Sequence, residues 1–290
     1  MVRSLTERYV NLFTDFGFKK LFGSEFNKPL LMDFLNELLG KEVGKIETLT
    51  FLPTKQLPIG LGDRKAIFDI YCESDRGEKF IVEMQKAKQN YFKERSVYYS
   101  TFPISQQAKK GDWNFKLSAV YTIGILDFVF DENKNDKNIF HHEVKLLDTK
   151  TKKIFYDKLT YIYLEMPKFT KTEDELETHF EKWLFVLKNL HLLTKRPAKL
   201  QERIFKNIFE TTDLQQLSDK EYQAYEESLK HYRDLKNSLD TAFDEGKIEG
   251  KIEAAKNMLR GGLAVEEVVK FAQLPLEQVL QIKSDLDRND

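Results

Sequence analysis

Cysteine is almost missing: Cys72 stands alone among 290 residues, which excludes an intramolecular disulfide and any multi-cysteine zinc site. Its place inside an apolar run makes packing its expected role rather than nucleophilic chemistry. No apolar stretch is long enough to cross a bilayer. The opening MVRSLTERYVNLFTDFGFKK lacks the apolar core of a signal peptide, because charges and aromatics interleave throughout. The expectation is a cytoplasmic chain that contacts no membrane. An excess of either charge is missing too: 46 Lys and Arg stand against 47 Asp and Glu, for a net charge of −1. Any basic footprint for nucleic acid therefore has to be local. What remains is 41% apolar and 32% charged, the composition of a globular protein with exposed helices. The length allows a sizeable core and more than one domain.

The stretch 66–85, AIFDIYCESDRGEKFIVEMQ, is the most informative. Asp69 lies between Phe68 and Ile70, and Glu83 follows Ile81 and Val82, in segments whose composition suits the middle of a sheet. An ionised carboxylate there is costly unless something compensates it. Glycine at the third position of Asp75-Arg76-Gly77 suits a three-residue hairpin loop whose last residue is left-handed. With that loop Ser74 pairs with Glu78, and counting back sets Asp69 directly opposite Glu83 on one face. A two-residue turn would shift the register by one and send the acids to opposite faces. Gln85 shares the face of Glu83 by alternation, whereas Lys86 and Lys88 fall on the other face if the strand continues. Opposed carboxylates repel and raise one another's pKa unless a bound cation keeps both ionised.

Around this hairpin the pattern predicts two short helices over 15–39, interrupted near Gly23 and Pro29 and closed by Gly40, then a strand over 45–52 and a loop over 53–62. A helix over 90–110, kinked or divided at Pro103, and a strand over 116–126 covered on both faces follow the hairpin. Strands over 141–147 and 159–165 extend the sheet. The chain turns helical from 173 onward, with a boundary between 170 and 171, a long charged helix over 218–258 interrupted only by Gly246 and Gly250, and two closing helices from 265 and 276. The class is α/β, in the order helix, strand, strand, strand, helix, strand, with additional strands and a helical C-terminal region.

Phosphodiester hydrolysis benefits from a divalent metal held by carboxylates, and Mg²⁺ accepts one or two of these while keeping several waters. Asp69 and Glu83 can supply them, beside the Met84 carbonyl, with Gln85 able to bond the attacking water or a phosphate oxygen. The residues themselves leave a second reading open: a structural hairpin whose acids are satisfied by a cation such as Arg95 on the following helix.

With Asp69 followed by Glu83-Met84-Gln85 on successive strands, and a helix carrying Arg95, Tyr98 and Tyr99 behind them, the sequence resembles the PD-(D/E)XK nuclease superfamily. More narrowly it resembles the Rpn family of recombination-promoting nucleases, also called PD-(D/E)XK nuclease family transposases. The opening DFGFKKLFG at 15–23 is similar to that family's first helix, 114–128 to its strand ending in ILDF, and 159–169 to its LEMPKF stretch. The likeness is close over residues 10–170 and looser along the tail, where EGKIEGKIE repeats.

The resemblance implies a restriction-endonuclease-like core over 1–170 and a helical region over 171–290 for packing or self-association. It implies a metal-dependent DNA endonuclease of low sequence specificity using Mg²⁺ or Mn²⁺. The metal-binding acids fall on Asp69 and Glu83, with the Met84 carbonyl. The superfamily's lysine position holds Gln85, which removes a fixed positive charge from the water site, though Gln is usual in this family. Asp15 is a further candidate acid, with a helix N-cap as its other reading. Asp63 is another, with a turn residue as its other reading.

Lys19, Lys86, Lys88, Arg95 and Gln107 are candidate contacts to DNA, within a local excess of positive charge over 86–116 that is interleaved with aromatics. Gln106 is a weaker neighbour of the same kind. Such contacts position a strand without reading its sequence. His141 and His142 point to opposite faces of a strand and have no cysteine partners, so a structural role is expected. The closing helices, with an acid and no Arg at the start of the second, are poorly suited to reading bases. They suit packing or homo-oligomer formation instead. A non-catalytic DNA-binding protein with this fold, or a ribonuclease using the same site, are the rival functions.

Overall fold

Thr14 starts the first helix: its hydroxyl accepts the Gly17 N–H at 3.0 Å, giving α1 (Asp15–Phe22) a side-chain N-cap. Gly17 is required there, because a Cβ would lie 2.2 Å from the Asn11 carbonyl oxygen. Gly23 ends α1, and α2 (Lys28–Val43) follows with Pro29 in its first turn. The computed structural model describes residues 7–56, 66–108 and 114–288. Gly40 does not close α2. The helix runs on to Val43 and stops at Gly44, whose φ is +72°. There Arg76, from the hairpin loop, donates to the carbonyls of Val43 at 2.8 Å and Lys45 at 3.0 Å, supplying partners that helix-end carbonyls need.

The strands are β1 (Leu49–Phe51), β2 (Lys55–Gln56), β3 (Ala66–Ile67), β4 (Ile70–Ser74), β5 (Lys79–Gln85), β6 (Val120–Leu126), β7 (His141–Leu147) and β8 (Ile154–Glu165). Six form one sheet in the order β1-β4-β5-β6-β8-β7, while β2 and β3 pair apart from it. The β5–β6 and β6–β8 pairs are parallel, and the others in that sheet are antiparallel. Between β5 and β6 runs α3 (Phe92–Ser105), which Pro103 near its end does not divide. The order helix, strand, strand, strand, helix, strand is therefore present, with two more strands beyond β6.

Alternation sorts β5 between two layers. Phe80, Val82 and Met84 enter the main core with α1 and α2, while Ile81 packs with Tyr71, Phe68 and Phe102 on the α3 side. All of β6 is buried, as its continuous apolar run requires. Gly124 on β6 leaves room that a side chain would take from Phe92 and Tyr163.

The sequence boundary at 170/171 does not coincide with the break in the structure. The chain divides into Met1–Tyr232 and Arg233–Asp290. The helices α4 (His179–Asn189) and α5 (Arg203–Thr211) complete the first unit's core: Trp183 is fully buried among Phe22, Phe34 and Phe205. Its indole N–H donates to Asp33 at 2.7 Å, satisfying the one polar atom a buried Trp brings. The start of α6 (Asp219–Arg260) belongs to the same unit, with Tyr225 and Leu229 packed on Val10, Leu214 and Leu217. Gly246 and Gly250 do not interrupt α6. In the second unit, Ala255 of α6 packs with Val268 and Ala272 of α7 (Val265–Ala272) and Val279 and Ile282 of α8 (Leu276–Asp287). Among the described residues no helix is long and apolar enough to cross a membrane.

Because Trp183 fills the centre of the core, Trp183→Ala is expected to lower stability by about 3–5 kcal/mol. Urea unfolding measures this. A loss within the range of surface substitutions, about 0.5 kcal/mol, would place these helices outside the core.

Candidate functional site

The loop Asp75-Arg76-Gly77 closes as three residues: Gly77 has φ +85° and donates to the Ser74 carbonyl at 3.0 Å, and Ser74 donates to the Glu78 carbonyl at 2.9 Å. The register then runs Glu73 to Lys79, Cys72 to Phe80, Tyr71 to Ile81 and Ile70 to Val82. One step further sets Asp69 against Glu83, as the turn chemistry requires.

At that step the strand stops being regular. The continuous strand expected through Asp69 is broken: Ala66 and Ile67 pair with β2, and β4 resumes only at Ile70. Side chains replace main-chain pairing at the break. The Asp69 N–H donates to Glu83 Oε1 at 3.0 Å, and the Met84 N–H donates to Asp69 Oδ2 at 2.9 Å. The Gln85 amide donates to Glu83 Oε2 at 3.3 Å, so all three side chains meet on the α3 side of the sheet.

This placement is electrostatically costly. Burial pushes the Glu83 carboxyl up to about 8, and the negative Asp69 adds to the rise. The Asp69 N–H, Arg95 and Lys19 oppose it. Asp69 is likewise raised by burial and by Asp15, against the Met84 N–H, Lys19 and Lys86. Two acids that resist ionising beside one another are favoured in their charged forms by a positive partner. Hard carboxylate oxygens are the donors that Mg²⁺ or Mn²⁺ prefers, so the donor chemistry fits such an ion. Among the described residues there is no ready-made group of three or more His, Cys, Asp or Glu arranged around one point. Asp69 and Glu83 therefore stand as a pair.

Asp15 is not the helix cap, since Thr14 takes that role. Its carboxylate is free to ion-pair with Lys19 at 2.8 Å, and both act on Asp69. Lys86 departs from the alternation reading. The strand ends at Gln85, and Lys86 is half-buried within the electrostatic reach of Asp69, Asp15 and Lys19. The polar run Lys86 to Asn90 was the signal that the strand stops there. Arg95 lies 5.1 Å from the Phe92 ring and 5.7 Å from that of Tyr99, and its Nη1 bonds Gln89. Its Nη2 is buried without a hydrogen-bond partner among the described residues. An orphaned cationic donor beside Glu83 is suited to an incoming anion.

Other candidates are engaged elsewhere. Lys88 pairs with Asp131, and Lys93 with Glu132. Gln107 does not face the acids. Its amide accepts from the Ser118 N–H at 2.6 Å and donates to the Pro103 and Ser118 carbonyls at 3.1 and 3.3 Å, tying the end of α3 to the approach to β6. Gln106 bonds Gln56 and Tyr71. Asp63, Lys109 and Lys110 lie outside the described residues.

Sequence reasoning gave no chemistry to the end of β8, where Glu165 is fully buried. It accepts from the Phe130 N–H at 2.8 Å and Asn133 at 3.0 Å, and pairs with Lys168 at 2.7 Å and His142 at 3.1 Å. Those partners hold its carboxyl below the usual range despite burial. The cluster fastens the segment carrying Asp131 and Glu132, and it gives the LEMPKF stretch a structural purpose. His141 packs against Phe180 instead, so the two histidines do face apart.

A family model described as PD-(D/E)XK nuclease family transposase matches residues 12–242. No curated protein and no solved structure matches the chain.

The raised Glu83 pKa has a defined sign in the metal-free protein. From the ordinary 4.5 up to about 8 the folded chain keeps a proton that the unfolded chain releases, so stability falls as pH rises through that window. Glu83→Gln keeps an oxygen for the Asp69 N–H and does not titrate. In EDTA, the wild-type urea midpoint is expected to fall relative to this variant between those pH values. Parallel profiles for the two proteins would refute the burial argument.

Proposed function

Because the chain belongs to the PD-(D/E)XK nuclease family transposases, we propose that it is a metal-dependent DNA endonuclease of low sequence specificity, acting in recombination or the movement of genetic elements. The observation that carries this reading is the buried Asp69–Glu83 pair, bonded to each other's strands, with the Glu83 carboxyl pushed up by burial and by Asp69.

Asp69 and Glu83 would hold a Mg²⁺ or Mn²⁺ ion. Met84 would add its carbonyl, because on a strand a residue's N–H and C=O face the same neighbour, and its N–H faces Asp69. Such an ion supplies charge neutralisation at the phosphate and a more acidic water. The protein's own groups do the rest. Gln85, fixed through its amide to Glu83, keeps its carbonyl oxygen available to accept a hydrogen bond from the attacking water and so aim it. It cannot supply the positive charge of a lysine. Lys86, drawn in by the end of β5, and Arg95, with its unpartnered donor, bring positive charge back beside the acids. Lys19 adds to it from α1, where Asp15 is the outlying acid.

Contacts of this kind bind phosphates and not base edges, which is why low sequence specificity is proposed. Lys88 belongs to the same surface, its exposed pair with Asp131 being exchangeable for a phosphate. We place the protein in the cytoplasm. Self-association is assigned to the C-terminal helices, where Leu235, Leu239 and Phe243 recur at helical spacing with exposed side chains.

Purified wild type is expected to nick supercoiled plasmid with Mg²⁺ or Mn²⁺. Asp69→Ala and Glu83→Ala should each lower the rate by roughly 100-fold or more, while Gln85→Lys should raise it several-fold if charge at the water limits turnover. Activity surviving in both alanine variants would sink the site. Binding without cutting would favour a non-catalytic role, and cutting confined to a structured RNA run in parallel would identify a ribonuclease.

A further inference from the structure

A cavity of about 650 Å³ lies away from the hairpin, lined by Arg8, Lys195, Arg196 and Lys206 over Tyr9 and Phe209. None of these residues belongs to the proposed nuclease site. The backbone around the cavity is fixed: Tyr9 forms a bridge with Asp213, Val10 donates to the Thr212 carbonyl at 3.0 Å, and Leu214 donates to the Arg8 carbonyl at 3.0 Å. The Tyr9 and Phe209 rings are buried edge to face, with centroids 5.0 Å apart, and give it a rigid floor.

The charges do not balance. Asp213 and Glu210 are the acids of the lining, and both are occupied. Asp213 accepts the Gln215 N–H at 2.9 Å and meets Arg8 at 3.4 Å, and Glu210 sits 3.7 Å from Lys206 one turn away. Among the described residues, Arg196 bonds the neutral Gln201 at 2.8 Å and has no acid partner, and Lys195 has none either. Arg8 also donates to the Thr194 carbonyl at 3.0 Å, which holds the 195–196 segment against the pocket. The Arg8 guanidinium lies over the Tyr9 ring of the floor, 5.3 Å from its centroid. Two planar donor forks with two ammonium groups around a concave wall suit an anion with several acceptor oxygens. The volume is that of a small-ligand site.

We propose that this cavity binds a phosphate group carried by a nucleotide unit, whether a free mononucleotide or part of a nucleic-acid strand. A phosphate there meets Arg8 and Arg196 from the wall and Lys195 from the rim. The proposal stands apart from the nuclease reading, because a protein with an inactive hairpin would keep the cavity.

The test titrates full-length protein in EDTA with thymidine monophosphate by calorimetry, and with a labelled single-stranded oligonucleotide by fluorescence anisotropy. Saturable binding is expected, unchanged by Asp69→Asn with Glu83→Gln. It should weaken roughly tenfold or more in K195E/R196E and less in K195Q/R196Q. Lys195 is exposed and Arg196 half-buried, and the glutamine pair guards against misfolding from charge reversal. Binding of the mononucleotide identifies a free nucleotide as the ligand, and binding of the strand alone identifies nucleic acid. If neither probe saturates, or if the hairpin variant loses binding while K195E/R196E keeps it, the proposal is overturned.

Discussion

Main-chain pairing between β4 and β5 gives out at Asp69, and two carboxylates take its place. Asp69 donates its N–H to Glu83 and accepts the N–H of Met84. Backbone groups buried in a sheet need partners, so the acids are part of what holds the bend together. They cannot be removed without freeing a donor. The same bend takes the Asp69 backbone out of the regular ladder and brings its carboxylate beside that of Glu83. A structural need and an unfavourable charge arrangement thus have one origin. Here Phe68 beside the bend is enclosed by Tyr71, Tyr99 and Phe102, which leaves the chain little room to relax.

How far the sequence reveals this depends on whether the cause is local. The register was legible because Gly at the third loop position fixes the turn type, and alternation then carries the consequence along both strands. The fully buried β6 run and the two closing helices were legible for similar reasons of period and composition, whereas the ILDF and LEMPKF stretches stood out only through their resemblance to the family. The bend at Asp69 was not, because it follows from β3 leaving the large sheet to pair with β2, and that is a choice between partners distant in sequence. Gly40 and Gly44 make the same point. Either can end a helix by its own chemistry, and the helix ends at the one where Arg76, remote in sequence on the hairpin loop, reaches the carbonyls of Val43 and Lys45. The boundary at 170 was misplaced because Pro167 and the polar cluster after it look like a linker. Only packing shows that Trp183 and Phe205 close the core over Phe22 and Phe34.

Positive charge in the site follows the same logic. Alternation sends Lys86 away from the acids only for as long as the strand lasts, and β5 ends one residue earlier. A lysine one position past the motif's usual place is then free to turn back toward Asp69. Lys88 and Lys93 are held differently: their partners Asp131 and Glu132 sit on the segment that Glu165 fastens through Phe130 and Asn133. Glu165 is the counterpart of Glu83. Both are buried glutamates near the ends of the two strands that flank β6 in parallel, one on each side of it. Glu165 has Lys168, Asn133, His142 and a backbone N–H around it, and its carboxyl is held low. Glu83 faces another acid, and its carboxyl is pushed up.

That contrast weighs against reading Asp69 and Glu83 as a purely structural pair. Glu165 shows what the same fold does when a buried carboxylate only has to be stable: it surrounds the group with donors and a lysine. At Glu83 the fold does not. It sets Asp69 opposite, puts a neutral amide where a lysine would stand, and leaves the Arg95 guanidinium with a buried donor that has no partner among the described residues. Each of these choices disfavours the ionised acids, and a cation between them together with an anion at Arg95 would offset all of them at once. A phosphodiester with its metal ion brings that combination of charges.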